Sequence, residues 1–219
     1  MTAEQLITDI IIPLRTSDTG EEALGMMNEF YVRHLPIVND RQLLGLISEE
    51  DILDMDPEEA VGSYQLSLLR PYVQRTDHIY EVLRLIAEHH LTLIPVVDDK
   101  GDYLGLVTME DVLQYFARTA PFSETGSIIV LEVARRDYQL SEIARIVESE
   151  NAAILSAFVS NEFDSARIDV TLKIARQNIQ SIIATFQRYD YDIKASFNEV
   201  AYVDALQDRY DSLMAYLNV

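Results

Sequence analysis

Gly45-Leu46-Ile47-Ser48-Glu49-Glu50-Asp51-Ile52-Leu53 returns later in the chain as Gly105-Leu106-Val107-Thr108-Met109-Glu110-Asp111-Val112-Leu113. Just upstream, Leu35-Pro36-Ile37-Val38 returns as Ile94-Pro95-Val96-Val97. The two prolines stand 59 positions apart and the two glycines 60, which places one extra loop residue in the second copy, near Gly101. Self-similarity at a fixed period makes the repeat, rather than the chain, the unit of structure. In each copy the apolar run around the proline reads as a buried strand. A polar turn follows, and the Gly-containing run reads as the next strand. Ser48 and Thr108 then stand where a helix needs an N-cap, with Asp51 and Asp111 at the third helical position. The hydroxyl can accept from free amides there, and the carboxylate can accept in return. Taken singly, each motif is no more than a capped helix start. A complete strand–cap–helix unit present twice is far more specific.

The flanking sequence completes the unit. Thr19 with Glu22 forms another capping box, opening a helix to about Tyr31 with Ala23, Leu24, Met27 and Phe30 as its apolar stripe. The second copy offers Pro71-Tyr72-Val73 and a helix from His78 to about His89 with Val82, Leu83 and Ile86 inward. Each half reads β-α-β-β-α. At the N-terminus, Leu6-Ile7 and Ile10-Ile11 read as one side of an amphipathic turn or two.

This grammar resembles the CBS domain, and two in tandem resemble a Bateman module, over roughly the first 120 residues. The fold class is therefore α/β (α+β), with one CBS domain at 1–62 and the second at 63–120. In such modules, the resemblance implies, the motif aspartate accepts from ribose hydroxyls of an adenosine-type ligand and the capping hydroxyl lies near ribose or phosphate. Those roles fall on Asp51 with Ser48 and on Asp111 with Thr108. The base would be lined by Leu14 and Leu35 in one copy and by Val73 and Ile94 in the other. A basic pair before the Leu-Pro step is the phosphate contact of nucleotide-binding members. Arg33-His34-Leu35-Pro36 resembles it, whereas Thr92-Leu93-Ile94-Pro95 does not. With a Debye length of about 8 Å at physiological salt, remote acidic charge is screened and local residues decide. The alternative for this pair is a solvated Arg33 and a structural His34.

Pro, Ser, Thr and Gly cluster at 121–126, which reads as a linker. Beyond it the order is β-α-β-β-α-β, a ferredoxin-like split unit over 127–200. Turns fall at 161–164, and the fourth strand spans 193–200. In size, order and position this segment resembles an ACT domain. It departs from amino-acid-binding members at the first turn, where Ala134-Arg135-Arg136-Asp137-Tyr138 stands in place of a Gly-bearing turn, and that departure favours structural or dimerising use over the alternative of amino-acid binding. A last helix over 202–217 would set Val203, Leu206, Tyr210, Leu213 and Leu217 along a seam, packing either on its own sheet or on another subunit. The combined architecture is similar to acetoin-utilisation-type CBS proteins.

Composition narrows the function. Hydrophobic residues make up 48% of the chain, which is incompatible with general disorder. Seventeen basic against 37 acidic residues leave a net charge of −20, which disfavours nucleic acid and anionic membrane surfaces. Cysteine is absent, so there is no thiol nucleophile, and a reducing cytoplasm is expected. No Gly-rich phosphate loop, metal-ligand spacing or nucleophile–base pair stands out. The expectation is a non-catalytic, cytoplasmic, homodimeric sensor. It needs no cofactor, takes an adenine nucleotide as ligand, and has a regulated protein as possible partner. The alternative is a ligand-free module that assembles other proteins.

Overall fold

The duplicated runs fold as equivalent ladders. The computed structural model describes residues 1–64, 71–160 and 166–198, together with Met214 and Tyr216. In the first copy, α1 (Gly20–Glu29) precedes β1 (His34–Asn39), β2 (Gln42–Ser48) and α2 (Glu49–Leu53). In the second, β3 (Val73–Gln74) and α3 (Ile79–Glu88) precede β4 (Leu93–Val97), β5 (Tyr103–Thr108) and α4 (Met109–Ala117). Antiparallel pairing sets Pro36 opposite Leu46 and Pro95 opposite Leu106. Register shifts in both ladders at the same place, between Ile37 and Val38 and between Val96 and Val97. The strand leading each copy joins in parallel, Leu14 against Ile37 and Val73 against Val96. The helices begin where the caps predict: Glu22 N–H donates to Thr19 Oγ1 (3.2 Å) and Thr19 N–H to Glu22 Oε2 (2.9 Å).

The halves share a core. Leu35, Leu46, Ile47 and Ile52 of the first copy pack in one cluster with Leu91, Leu93 and Leu106 of the second. A second cluster holds Val73, Val82, Ile86, Ile94, Val96 and Val107, and Ala3 joins it from the N-terminus. Each fully buried aliphatic side chain of this size contributes about 1.5–3 kcal/mol.

The leading segments cross between the halves. Residues 1–8 precede the first copy but bond to the second: Ala3 N–H donates to Asp77 O (2.8 Å) and Thr8 N–H to Leu106 O (2.9 Å). Residues 57–64 lead to the second copy but bond to the first: Val61 N–H donates to Asp18 O (2.8 Å) and Gly62 N–H to Thr16 O (2.9 Å). A division at 62/63 therefore cuts within a segment that packs on the first half, since the Tyr64 hydroxyl also donates to Asp56 O (2.8 Å). At the N-terminus only Ala3–Leu6 is helical, as a single 3-10 turn. Ile10 is 69% exposed and Ile11 5%, so the expected Ile10-Ile11 face does not form, because the chain bends at these two residues instead of continuing as a helix.

By compactness the chain divides between Phe116 and Ala117. The expected linker at 121–126 holds a short helix, α5 (Ala120–Ser123), with Pro121 in its first turn, where a missing N–H costs nothing. The second unit contains β6 (Ser127–Ala134), α6 (Leu140–Ser149), β7 (Ile154–Ser160), β8 (Arg167–Ile174), α7 (Gln180–Arg188) and β9 (Asp192–Asn198). The sheet order is β7-β8-β6-β9, with every pairing antiparallel. This is the ferredoxin-like βαββαβ arrangement. Ile129, Leu131 and Val133 alternate inward with Ile168, Val170 and Leu172, and Ile143, Ile146, Val147, Ile182 and Phe186 cover them from the helices. The turn expected at 161–164 and the last two residues of the expected fourth strand lie outside the described residues. So does the expected helix at 202–217, apart from Met214 and Tyr216.

Gly105 marks a close approach between a leading segment and the opposite half. A Cβ there would lie 2.5 Å from Ile7 Cγ2, and its φ of +154° is one that side chains resist. Gly105→Ala should destabilise the protein by about 1–3 kcal/mol in chemical denaturation. Ile7→Ala introduced into that variant should recover part of the loss.

Candidate functional site

Each copy ends its second strand in a hydroxyl and starts a helix with a carboxylate three residues on. In the first, Asp51 N–H donates to Ser48 Oγ (3.1 Å), while Ser48 N–H and Oγ donate to Asp51 Oδ2 (2.8 and 2.7 Å). In the second, Asp111 N–H donates to Thr108 Oγ1 (3.0 Å), and Thr108 N–H and Oγ1 donate to Asp111 Oδ2 (3.0 and 2.5 Å). All four residues are half-buried. In both carboxylates Oδ2 is committed to the cap, while Oδ1 has no hydrogen-bond partner among the described residues. Each site therefore keeps one acceptor oxygen, held in place by the helix start.

The four residues expected to line a base are sealed in the cores. Leu14 is 1% exposed, Leu35 0%, Val73 1% and Ile94 0%. Their strand register turns them into the shared core and the second core, so their side chains hold the module together and offer no surface to a ring. Tyr72, beside Val73, is instead 48% exposed. It lines a hollow of about 490 Å³ with Gln42, Leu43, Val97, Lys100 and Asp102.

Arg33 and His34, neighbours in sequence, do different work. The Arg33 side chain is exposed and makes no ion pair among the described residues. It lines a hollow of about 500 Å³ with Asn28, Tyr31, Glu49 and Leu53. Neither Asp51 nor Asp111 lines either hollow. His34 faces the other half. Its Nδ1 lies 3.1 Å from Thr92 Oγ1 and accepts from Thr92 N–H at 3.3 Å. Arg33 N–H donates to the same Thr92 Oγ1 (3.0 Å). Burial, and then the adjacent Arg33 charge, lower the His34 pKa, against the raising effect of Asp51 and Glu50. These hydrogen bonds link the two halves through the His34 ring.

Thr92 was not among the residues singled out from sequence. Nothing local marks it, because its partner is 58 positions away and only the packing of the halves joins them. Arg33 and Thr92 occupy equivalent positions and share a second duty. Arg33 O accepts from Glu49 N–H (2.9 Å) and Thr92 O from Met109 N–H (3.0 Å), so each holds the first amide of the capped helix in its own half.

In the second unit, the turn after β6 is the exposed 3-10 segment Arg135–Asp137. A hollow of about 290 Å³ beside it is lined by Glu132, Asp137, Glu142, Asp190 and Asp192 together with Tyr189, Tyr191 and Arg167. Arg167 already bridges Glu132 (2.8 Å) and Asp192 (2.5 Å). Burial, reinforced by its bond to Glu142, pushes the Tyr191 hydroxyl up to about 12.

The family model for the CBS domain matches residues 3–58 and 70–118. Residues 3–118 are a tandem pair of CBS domains. Among curated proteins, the pair is similar to the magnesium transporter MgtE of Thermus thermophilus, at 30% identity over 117 residues, which is 49% of this chain and 25% of that one. It is also similar to the inosine-5'-monophosphate dehydrogenase of Korarchaeum cryptofilum, at 27% identity over 129 residues, 55% of this chain and 25% of that one. This chain thus spans about a quarter of the length of each. Among solved structures, a CBS domain pair/ACT domain protein from Thermotoga maritima aligns at 26% identity with a TM-score of 0.48, covering 53% of this chain and 96% of that one.

Removing either capping hydroxyl of this CBS pair should cost a similar amount, since the two caps are bonded alike. Ser48→Ala and Thr108→Ala are each expected to lower unfolding free energy by about 1 kcal/mol in urea titrations.

Proposed function

We propose that the CBS pair is a regulatory sensor for an adenosine-containing ligand such as AMP, ADP or ATP. The observation that carries this reading is the doubled cap. Two helix starts, produced by one duplicated sequence, each fix a carboxylate with one oxygen in use and one to spare. An ionised carboxylate held this way is suited to ribose hydroxyls. Arg33 supplies an exposed guanidinium with no ion pair among the described residues, in the half that holds the first cap, so phosphate is expected to favour that side. The relatives support a regulatory rather than catalytic role. One is a transporter and another a dehydrogenase, and the chain matches only about a quarter of each, which supports a module shared between proteins of different activity.

The second unit is read as an ACT-like domain used for homodimerisation or output. A free amino acid would bring its carboxylate into a hollow lined by five carboxylates whose arginine is already paired, which disfavours amino-acid binding there. We place the protein in the cytoplasm. Among the described residues no helix is long and apolar enough to cross a membrane, and the chain has no cysteine to need an oxidising compartment.

A second reading has its own support. Leu14, Leu35, Val73 and Ile94 are buried in packed cores, which fits a ligand-free module that assembles or regulates a separate enzyme or transporter. A panel of adenosine, AMP, ADP and ATP in isothermal titration calorimetry and thermal-shift assays separates the two. Under the sensor reading one nucleotide should stabilise the protein by about 2.7 kcal/mol at 100 times its Kd. Asp51→Ala or Asp111→Ala should weaken that binding, and Arg33→Ala should weaken a phosphorylated ligand about ten-fold without affecting adenosine. Heats and midpoints unchanged across the whole panel would leave the assembly module as the function.

A further inference from the structure

We propose that the His34–Thr92 contact is an acid-sensitive joint between the two CBS domains, closed when the imidazole is neutral and opened by a proton on Nδ1. The hydrogen-bond geometry dictates the direction. Thr92 N–H can only donate, so Nδ1 must be bare to accept it at 3.3 Å. Thr92 Oγ1 already accepts from Arg33 N–H, which leaves the threonine hydroxyl proton free to point at the same Nδ1, 3.1 Å away. The imidazole thus serves as an acceptor for both donors of one residue, with its proton on Nε2. Protonation of Nδ1 replaces that acceptor with a donor. The threonine hydroxyl can turn to accept, but Thr92 N–H then loses its partner in a half-buried place.

The charged groups facing the ring are Arg33 on its own strand and Asp51 and Glu50 from α2. The carboxylates favour the proton, while burial and Arg33 oppose it and prevail. A folded-state pKa below the unfolded value near 6.5 means the unfolded chain takes up the proton first as pH falls. The joint's contribution to stability is therefore complete above about pH 6.5 and is lost as pH falls below it.

The joint is placed to be felt at both candidate sites. Its backbone partners, Arg33 and Thr92, hold the first amides of α2 and α4, and His34 stands directly opposite Ser48 in the β1–β2 ladder. The device is also one-sided. The position equivalent to His34 is Leu93 and that equivalent to Thr92 is Arg33, so the internal two-fold is broken and one titratable ring governs the contact.

The test needs no nucleotide, so its outcome is independent of the sensor reading. The imidazole resonances of His34, His78, His89 and His90 are assigned by NMR and titrated from pH 8 to 4.5. Thermal midpoints of wild type and His34→Asn are compared at pH 7.5 and 5.5. Asparagine places an acceptor oxygen near the Nδ1 position and cannot titrate. His34 should titrate below 6.5, and the wild-type midpoint should fall further on acidification than that of the variant. Thr92→Val keeps the N–H that opposes the proton and removes only a hydroxyl able to donate to or accept from Nδ1, so the His34 pKa should stay below 6.5. A His34 that titrates at or above 6.5, or midpoints that fall in parallel, overturns the joint. If His34→Asn does not fold, the wild-type and Thr92→Val titrations decide alone.

Discussion

The architecture of the CBS pair rests on burial that neither half can complete alone. Leu35, Leu46 and Ile47 on one side and Leu91, Leu93 and Leu106 on the other fill a single core. Separating the halves would return those side chains to water, at a cost of about 25 cal/mol for each Å² of apolar area exposed. Non-directional apolar packing of this kind fixes that the halves associate, but not their register. Register comes from the polar contacts at the edge of that core, where His34, Arg33 and Thr92 meet, and from the crossed leading segments that tie each half's entry to the opposite partner.

This division of labour bears on regulation. The capped helix starts that would face a ligand are not free-standing, because their first amides are held by the residues that join the halves. A change at either cap therefore acts on the same few hydrogen bonds that set the relation between halves. A regulatory module needs such a route, since a ligand can shift an equilibrium only through differential contacts in its two states.

Much of this was legible in the linear chain. The repeat predicted both ladders, both caps and the buried prolines, and the β-α-β-β-α-β order predicted the ferredoxin-like sheet. The residue roles were harder to read. Leu14, Leu35, Val73 and Ile94 carry the apolar character expected of a base-lining surface, yet apolar character is equally what a core requires, and only packing separates the two. His34 read as a phosphate contact because its neighbours in sequence are Arg33 and Leu35. Its neighbour in space is Thr92. The linker at 121–126 was read from turn-forming residues, but Pro121 at a helix start is favourable rather than disruptive.

Local chemistry is what the amino-acid sequence determined by itself: strand periodicity, helix caps, the duplication, and a charge unsuited to polyanions. Those follow from interactions spanning three or four residues, or from repetition, and both are written along the chain. Tertiary structure alone decided which half each leading segment joins, which apolar side chains are sealed away, and that one histidine spans the two domains. These depend on distances between residues far apart in the chain, set by the shared core and not by any local preference.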